Sequence, residues 1–401
     1  MAKTNNDFTI DLIKSLNKEM GDRVAYNLAV DDAPTIVKRW ISTGSIYLDY
    51  IIANRRNGGI PEGRITEIFG PPAIGKSHLA LQISKNVQAM GGIVVYIDSE
   101  NATNIELLEQ LGVDVTKRFV YVEEKCTERI FQVMERTIMK AREQEKDIPI
   151  VIIWDSVAAS SPLAELHGDY DKDTIGLQAR QLAKGFRKIT STIGSEKITL
   201  VCLNQMKTKI GVLYGDPDTT PGGSAIPFHA SVRVKLTSGN QIKGKDKGRT
   251  DDTKDDVIAI KVIATTIKNK VSSPRRKADF EIHFGVGIEE HEQLLDEVNR
   301  VGQVSKNGYL ISCGGNGAWK EFSVADEKTG EVIHQKKFTK NMFKDVLSNQ
   351  VWRPFIDELL DIALIKNAAR PTLESEVEAE EEMAAETTFN ATHPVAGTTG
   401  A

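Results

Sequence analysis

Residues 70–77 of this sequence read GPPAIGKS and fit the pattern G-x-x-x-x-G-K-[ST] at every position. A short apolar run, RITEIF, comes directly before them and predicts a strand, whereas Leu79, Ile83 and Val87 recur afterwards at helical spacing. A strand, a glycine-rich loop and a helix in this order form a P-loop, whose backbone N–H groups bind phosphate oxygens at the helix N-terminus. The sequence therefore predicts a site for a nucleoside triphosphate.

The residue types within this loop suit phosphate binding. Gly70 and Gly75 let the backbone turn and approach the ligand, and Lys76 reaches the β- and γ-phosphates. Ser77 offers its hydroxyl to Mg²⁺, which accompanies ATP and prefers oxygen ligands. We expect the other loop positions and the next helical residue to contact the nucleotide as well; these are Pro71, Pro72, Ala73, Ile74 and His78.

Polar residues end three of the later apolar runs. Asp155 ends IPIVIIWD, and we expect its strand to lie beside the P-loop strand, where the carboxylate would bind Mg²⁺; helix capping is the alternative. Glu100 ends GIVVYIDSE and would either polarise a water molecule for attack on the γ-phosphate or lie exposed on a loop. Gln205 ends ITLVCLNQ, where its amide would either bond the γ-phosphate or serve as a capping or surface residue.

Two lysines, Lys268 and Lys270, lie in the segment TIKNKVSSPRRK at the predicted end of a later strand. A run of like charges usually forms a solvated face. Phosphoryl transfer, however, needs positive charge beside the developing negative charge, and the P-loop supplies only Lys76. We therefore expect a second cation to reach the nucleotide from elsewhere.

The order of the predicted elements indicates an α/β fold. Between residues 64 and 205, four apolar runs alternate with helical patterns, which predicts a mostly parallel central sheet with helices on both faces. Ligands of such sheets bind outside the carboxyl ends of the strands. Residues 206–228 are rich in glycine and proline and match no regular element, so we expect a long functional loop there. The alternating patterns that follow predict strands at residues 232–236, 257–265 and 280–284.

Four parts of the chain can be separated by their patterns. An amphipathic stretch within residues 1–38 predicts an N-terminal helical arm, which would either pack on its own core or dock on a neighbouring subunit. Residues 39–288 form the predicted core, residues 289–370 a small C-terminal α/β domain, and residues 371–401 an acidic tail. The tail holds seven glutamates and no lysine or arginine, so removing it changes the net charge from −5 to +2. Its composition predicts disorder.

Composition also excludes several classes of protein. No apolar run approaches the roughly twenty residues that span a bilayer, and the N-terminus lacks the pattern of a secretory signal. We therefore expect a cytoplasmic location and no membrane partner. The three cysteines, Cys126, Cys202 and Cys313, are far apart and odd in number, which argues against a disulfide framework or a zinc site.

Several segments together resemble one family of proteins. They are ISTGSIYLD, IPEGRITEIFGPPAIGKS, VVYIDSE, VIIWDSVAA, IGLQARQLAKGFRKI, LNQMKTKIGVLYGDPDTTPGGSAIPFHASVR, IKNKVSSP and ADFEIHFGVGI. These segments are similar to those of the RecA recombinases of bacteria and their phage relatives, the RecA/UvsX family. The similarity covers residues 41–288, and the long loop after Gln205 is its most specific part. From residue 289 onward the sequence looks more like the phage branch.

The resemblance implies a RecA-type P-loop ATPase core and roles for individual residues. Glu100 would be the catalytic carboxylate and Gln205 the sensor of the γ-phosphate, whereas Lys268 and Lys270 would reach into the ATP site of the neighbouring subunit. Asn104 stands where bacterial members place an aspartate beside the adenine, so it is a predicted nucleotide contact. The implied DNA-binding residues lie in two loops and on the helix between them: Ile175, Gly176, Arg180, Arg187, Lys207, Lys209, Ile210, Gly211, Gly222 and Gly223.

The function that the resemblance implies is ATP-dependent homologous recombination. The chain would be a DNA-dependent ATPase that forms a helical homo-oligomeric filament on single-stranded DNA, pairs it with double-stranded DNA and exchanges strands. Single-stranded-DNA-binding proteins and loader proteins are further candidate partners. Two alternatives remain at this point, a hexameric RecA-fold helicase and a regulator that binds ATP and DNA without hydrolysis. The long second loop and the IKNK segment favour the recombinase, and Glu100 favours hydrolysis.

Overall fold

The computed structural model describes residues 5–144, 147–169, 176–208, 218–244, 256–315 and 317–366. The elements described below belong to one compact unit, Met1–Leu364. The helices are α1 (Asn5–Met20), α2 (Ile46–Ala53), α3 (Lys76–Ala89), α4 (Ile105–Gln110), α5 (Thr127–Gln144), α6 (Leu163–Leu166), α7 (Leu177–Ser195), α8 (Ala225–His229), α9 (His291–Val301), α10 (Phe343–Ser348) and α11 (Arg353–Leu364).

The strands of the core come first along the chain. They are β1 (Trp40–Ile41), β2 (Ile60–Pro61), β3 (Ile65–Gly70), β4 (Ile93–Asp98), β5 (Phe119–Glu123), β6 (Ile150–Asp155), β7 (Ile198–Gln205), β8 (Lys207–Thr208), β9 (Asp218–Thr219), β10 (Val232–Gly244), β11 (Asp256–Asn269), β12 (Lys277–His283) and β13 (Gly287–Glu289). The strands of the C-terminal part are β14 (Gln303–Lys306), β15 (Tyr309–Gly314), β16 (Trp319–Asp326) and β17 (Val332–Thr339).

A nine-stranded sheet organises the described part of the chain, in the order β13-β12-β11-β10-β3-β7-β6-β4-β5. Neighbouring strands are parallel from β10 to β5, whereas β11, β12 and β13 add to this sheet in antiparallel pairs. The prediction of a mostly parallel central sheet is therefore confirmed. The carboxyl ends of β3, β4, β6 and β7 meet at one edge, as expected for parallel strands.

One expectation about this sheet is wrong. The strand that ends on Asp155, β6, does not lie beside the P-loop strand β3, because β7 pairs with both of them. Neighbouring strands lie about 4.8 Å apart, so β6 is about 10 Å from β3. Helix α3 bridges this separation by packing across β4, β6 and β7. The helix thus carries the end of the P-loop towards Asp155.

Helices cover both faces of the parallel strands, which explains why those strands are apolar throughout rather than alternating. On one face α3 buries Leu79, Ile83 and Val87. On the other face α5 and α7 pack together, and the rings of Phe131 and Phe186 meet edge to face with centroids 5.3 Å apart. The two-sided burial fixes the strand ends that carry the polar residues.

The C-terminal part forms its own antiparallel sheet, in the order β14-β15-β16-β17. Phe322 and Phe338 are fully buried, and Trp352, just before α11, contacts the Phe322 ring edge to face at 5.5 Å. This matches the expected small mixed α/β segment, while the proposed boundaries at residues 38 and 288 stay predictions. Within the described residues, none of the helices is both long and apolar enough to cross a membrane.

The loop predicted over residues 206–228 contains more regular structure than expected. Lys207 and Thr208 form β8, which pairs with β9, and the last part of the segment contains helix α8. Ala225 and Ile226 of α8 are buried in the same cluster as Leu182 of α7. A five-residue helix is unstable by itself, so this tertiary packing stabilises it despite the preceding glycines.

Candidate nucleotide-binding and DNA-binding sites

The P-loop turns sharply between β3 and α3. Gly75, just before α3, has a φ of 94°, which favours glycine, and a Cβ there would lie 2.3 Å from Ile282 Cδ1. A Cβ on Gly70, the last residue of β3, would lie 2.6 Å from the backbone oxygen of Leu236. Both glycines of the motif therefore allow close packing of the loop against the neighbouring strands.

A cavity of about 300 Å³ opens above the P-loop at the carboxyl edge of the sheet. Its walls come from the loop, the first turn of α3 and the ends of β4, β6 and β7. The lining residues are Pro72, Ala73, Gly75, Lys76, Ser77, His78, Glu100, Asp155 and Gln205. Every one of these residues is a predicted nucleotide, metal or catalytic residue.

Lys76, the first residue of α3, lies against the loop that precedes it. Its amine donates hydrogen bonds to the backbone oxygens of Gly70, at 3.2 Å, and Pro71, at 2.7 Å. Burial lowers the pKa of Lys76, whereas the carboxylates of Asp155 and Glu100 oppose that change. The positive charge of Lys76 is therefore balanced by the two carboxylates of the same cavity.

Asp155 ends β6 and accepts hydrogen bonds from two hydroxyls, those of Ser77 and Tyr96. The Tyr96 hydroxyl lies 2.6 Å from Asp155 Oδ2. Burial raises the pKa of Asp155, and the nearby carboxylates of Glu100 and Asp98 act in the same direction. The two hydroxyls oppose this rise because they stabilise the charged form by donating hydrogen bonds.

The adjacent hydroxyl of Ser77 and carboxylate of Asp155 are a suitable donor set for Mg²⁺. Magnesium prefers oxygen ligands and is usually held by one or two carboxylates together with phosphates and water. No group of three or more histidine, cysteine, aspartate or glutamate side chains in the described residues could hold a metal by itself. The pair therefore fits a cation that arrives with the nucleotide.

Asp98, the last residue of β4, shapes the turn that carries Glu100. Its carboxylate accepts the backbone N–H groups of Glu100 and Asn101 at 2.9 and 2.7 Å, and the hydroxyls of Thr103 and Tyr121 at 2.6 and 3.0 Å. Burial raises the pKa of Asp98, but these hydrogen bonds outweigh it and the pKa is lowered. The sequence analysis assigned no role to Asp98.

Glu100 and Gln205 are in contact. Glu100 Oε1 accepts hydrogen bonds from the hydroxyl of Ser156 and, at 3.4 Å, from Nε2 of Gln205. Gln205 is directly opposite Gly70 in the β3–β7 pairing, and the next residue, Met206, donates its N–H to Gly70 O at 3.1 Å. The second predicted DNA-binding loop thus begins at the P-loop itself.

A buried polar network lies beneath this junction, and sequence reasoning missed it. Glu67, on β3, is fully buried and forms an ion pair of 2.5 Å with Arg233 of β10. It also accepts a hydrogen bond of 3.0 Å from the amide of Asn204. The same amide lies 3.3 Å from the backbone oxygen of Pro221. A charged residue within the fully buried β3 was the available signal, because a buried charge requires a partner.

The structure places Lys268 and Lys270 away from the cavity of their own chain, since neither residue lines it. Lys268 lies on β11 opposite Arg233 and donates hydrogen bonds to the backbone oxygens of Pro227, at 2.7 Å, and Phe228, at 2.9 Å. Burial lowers the pKa of Lys268, and the charges of Lys270 and Arg233 add to this effect.

Part of the predicted DNA-binding set lies along α7. Gly176 precedes the helix, with a φ of 71°, and the side chains of Arg180 and Arg187 are exposed. Lys184, which the sequence analysis did not select, is also exposed and lies between them at helical spacing. Ile175, Lys209, Ile210 and Gly211 lie outside the described residues, as does the acidic tail.

The return of the second loop packs on the same helix. Gly222 and Gly223 have φ values of 90° and 70°, and a Cβ on Gly222 would lie 2.4 Å from Leu182 Cδ1. On Gly223 it would lie 3.1 Å from the Cβ of Ala179. The ends of both predicted DNA-binding loops therefore meet at α7, and Lys207 is exposed at the start of the second loop.

Four predicted nucleotide-binding residues do not line the cavity: Gly70, Pro71, Ile74 and Asn104. Asn104 caps the N-terminus of α4, where its side-chain oxygen accepts the N–H of Glu106 at 2.8 Å. Ile74 is buried in the core, and Pro71 contributes the backbone oxygen that accepts from Lys76. Their contacts with a nucleotide stay predictions.

A P-loop between a parallel strand and a helix, with carboxylates at the ends of other strands of the sheet, defines a P-loop NTPase. A family model described as the RecA N-terminal domain matches residues 9–289. The chain therefore belongs to the RecA family. Members of this family are DNA-dependent ATPases that act in ATP-dependent recombination and strand exchange, so the helicase and passive-regulator alternatives are not favoured.

Relatives named "Protein RecA" match most of the chain. The protein of Thermus aquaticus is 34% identical over 325 residues, which cover 81% of this chain and 88% of that protein. The protein of Chloroherpeton thalassium is 33% identical over 354 residues, or 88% and 89% of the two chains. That of Tropheryma whipplei is 36% identical over 330 residues, or 80% and 71%.

Proposed function

We propose that this chain polymerises on single-stranded DNA and uses ATP, bound with Mg²⁺ in the P-loop cavity, to control pairing with a duplex and strand exchange. The observation that carries this proposal is the convergence of Lys76 and Ser77, from the first turn of α3, with Glu100, Asp155 and Gln205, from the ends of three strands, around one cavity. Phosphoryl transfer requires positioned positive charge, a metal site and a residue that orients the nucleophile. The cavity offers a candidate for each.

Each side chain in the cavity has a proposed role. Lys76 and the backbone N–H groups of the loop bind the phosphates, and Ser77 with Asp155 holds Mg²⁺, which supplies charge neutralisation when bound. Glu100 orients and polarises the attacking water as a general base, because Asp98 fixes its backbone and Ser156 its carboxylate.

Gln205 is the proposed link between nucleotide and DNA. Its amide contacts Glu100, and its strand continues directly into the second loop at Met206. A γ-phosphate that bonds the Gln205 amide would compete with the Glu100 contact and shift the start of this loop. The other end of the loop is held in place, because Asn204 donates to Pro221 O and Gly222 packs against α7. A shift at Met206 would therefore have to be accommodated within the loop.

Lys268 and Lys270 act in trans in this proposal. They lie outside their own cavity, and Lys270 is exposed, so it is available to the nucleotide of a neighbouring subunit; Lys268 would exchange its bonds to the backbone oxygens of Pro227 and Phe228 for that nucleotide. Helix α1 also supports the assembly of subunits, because its side chains Phe8 and Met20 are 67% and 66% exposed. Apolar side chains this exposed are typical of a contact surface, so of the two roles considered for the arm we propose docking on a neighbour. The proposal also includes duplex DNA, single-stranded-DNA-binding proteins and loader proteins as partners. It includes a cytoplasmic location as well.

Electron microscopy of the full chain with single-stranded DNA and a non-hydrolysable ATP analogue tests the proposal. We expect extended filaments that require both DNA and nucleotide. The variant Lys76→Ala, which lacks the P-loop cation, should form none under the same conditions. Closed rings would favour a helicase instead, and normal ATPase activity of Lys76→Ala would contradict the assignment of the cavity.

A further inference from the structure

The phenol of Tyr96 is a polar group to which neither the motif nor the resemblance assigned a role. Tyr96 lies on β4, opposite Ile153 of β6, and two residues later Asp98 lies opposite Asp155. Side chains alternate between the faces of a strand, so Tyr96 and Asp155 point to the same face. Val94 and Ile153 on that face share a buried cluster with α3, which places Tyr96 beneath the P-loop helix.

Packing leaves the Tyr96 ring little freedom. The residue is 2% exposed, and its ring stacks on Phe119 with centroids 6.1 Å apart and an interplanar angle of 26°. From this fixed position the hydroxyl donates to Asp155 Oδ2 at 2.6 Å, a short distance that is typical of a charge-assisted hydrogen bond. The ring therefore determines where one oxygen of the carboxylate lies.

We propose that Tyr96 is a positioning residue that holds Asp155 in the orientation needed to bind Mg²⁺ together with Ser77. This inference rests on the proposed function of the cavity. A metal-binding carboxylate needs partners that fix its rotation, and loss of such a partner typically weakens metal affinity about 10–100-fold. A fixed orientation is important for Asp155, because β7 separates its strand, β6, from the P-loop strand, β3. The carboxylate must therefore be directed across that separation.

The variant Tyr96→Phe isolates the hydroxyl. It keeps the ring that packs on Phe119, but it leaves a buried carboxylate oxygen without its donor. We expect the Mg²⁺ concentration that gives half-maximal binding of a fluorescent ATP analogue to rise about 10–100-fold. Binding of the analogue in EDTA should not change, because Lys76 and the loop N–H groups remain.

The matched control is Tyr121→Phe on the neighbouring strand β5. It also removes a tyrosine hydroxyl from a buried aspartate, since Tyr121 donates to Asp98 at 3.0 Å, but Asp98 is not a proposed metal ligand. The Mg²⁺ midpoint of this control should equal that of the unmodified chain. Thermal unfolding without nucleotide or Mg²⁺ reports whether either substitution disturbs the fold.

A second substitution tests whether the effect passes through Asp155. In an Asp155→Asn background, Tyr96→Phe should cause no further rise in the Mg²⁺ midpoint. An equal rise in both backgrounds, an unchanged midpoint in Tyr96→Phe alone, or weaker binding in EDTA would each overturn the proposal. If the unmodified chain itself bound the analogue without any response to Mg²⁺, the proposed function of the cavity would fail instead.

Discussion

The P-loop cavity and the pair formed by Lys268 and Lys270, at the end of β11, differ in the contacts that they make within one chain. In the cavity the polar groups contact each other: Ser77 and Tyr96 bind Asp155, and Gln205 binds Glu100. Lys268 instead donates to backbone oxygens, and neither it nor Lys270 lines that cavity. The difference suggests that one subunit can bind a nucleotide, whereas the last cations needed for phosphoryl transfer come from another subunit.

Removal of the lysine pair should have the largest effect of the changes considered, and the affected quantity is the ATPase activity. A cation supplied across an interface can contribute about 10³–10⁵-fold to phosphoryl transfer, so Lys268→Ala/Lys270→Ala subunits should lose DNA-dependent ATPase activity to that extent. Mixing them with Lys76→Ala subunits should restore some activity, because mixed interfaces join an intact P-loop to an intact lysine pair. ATPase rates across a series of mixing ratios measure this rescue.

The control for the mixing experiment replaces the Lys76→Ala partner with a chain that carries all three substitutions. No interface in this mixture contains an intact lysine pair, so activity should stay at the level of Lys268→Ala/Lys270→Ala alone. Absence of rescue in the first mixture, with co-assembly demonstrated by sedimentation, would show that the lysines act within their own chain.

Within the cavity, Glu100→Gln should slow hydrolysis about 10²–10⁴-fold, the usual contribution of a general base. Glutamine keeps an acceptor for Ser156, so the local structure and nucleotide binding should survive, and filaments formed with ATP should persist. Single-turnover ATPase assays measure the rate. Glu106→Gln, on the first turn of α4, is the control for charge, and a Glu100→Gln rate within a few-fold of the unmodified chain would make Glu100 a bystander.

The exposed arginines of α7 should show a smaller effect that is separate from the ATP chemistry. Arg180→Ala and Arg187→Ala should each reduce the slope of log affinity for single-stranded DNA against log salt by about one, because we expect each side chain to neutralise one phosphate. Lys188→Ala is the control on the same helix, since Lys188 lies 2.8 Å from Glu135. Equal slopes for all three variants would place the DNA elsewhere.

The smallest expected effect is a pH dependence of the free energy of unfolding. It arises outside the P-loop cavity and the lysine pair. Asp49 and Glu290 are buried around the N-terminus of α2, and burial raises the pKa of each to about 7, from ordinary values near 4. The folded chain therefore retains protons that the unfolded chain loses between about pH 4 and 7. The free energy of unfolding should fall as pH rises through this window and level off above it.

Thermal unfolding of the nucleotide-free chain between pH 5 and 8 checks this dependence. Asp49→Asn should flatten the decline, because the amide cannot ionise, whereas the exposed Asp345→Asn should leave it unchanged. If the decline persisted fully in Asp49→Asn, Glu290, the second buried carboxyl at this helix N-terminus, would be its source.

Much of the architecture could be predicted because its signals are local. The P-loop, the strands that end on Asp155 and Gln205 and the helices between them were all predicted from spacing along the chain. Two expectations were wrong for one reason. Which strands lie side by side, and whether residues 206–228 form a helix, both depend on packing between segments that are distant in the sequence. The spacing of residues along the chain gives no information on such packing.

The sequence by itself determined which residue types end each strand, since a motif such as GPPAIGKS is encoded in consecutive positions. Only the tertiary structure decided which of those ends meet. It inserted β7 between β3 and β6, paired the buried Glu67 with Arg233, and placed the Tyr96 hydroxyl on Asp155. The physical reason is that strand order and side-chain partners minimise the free energy of the whole core, in which a buried polar group is stable only beside a partner that is remote in sequence.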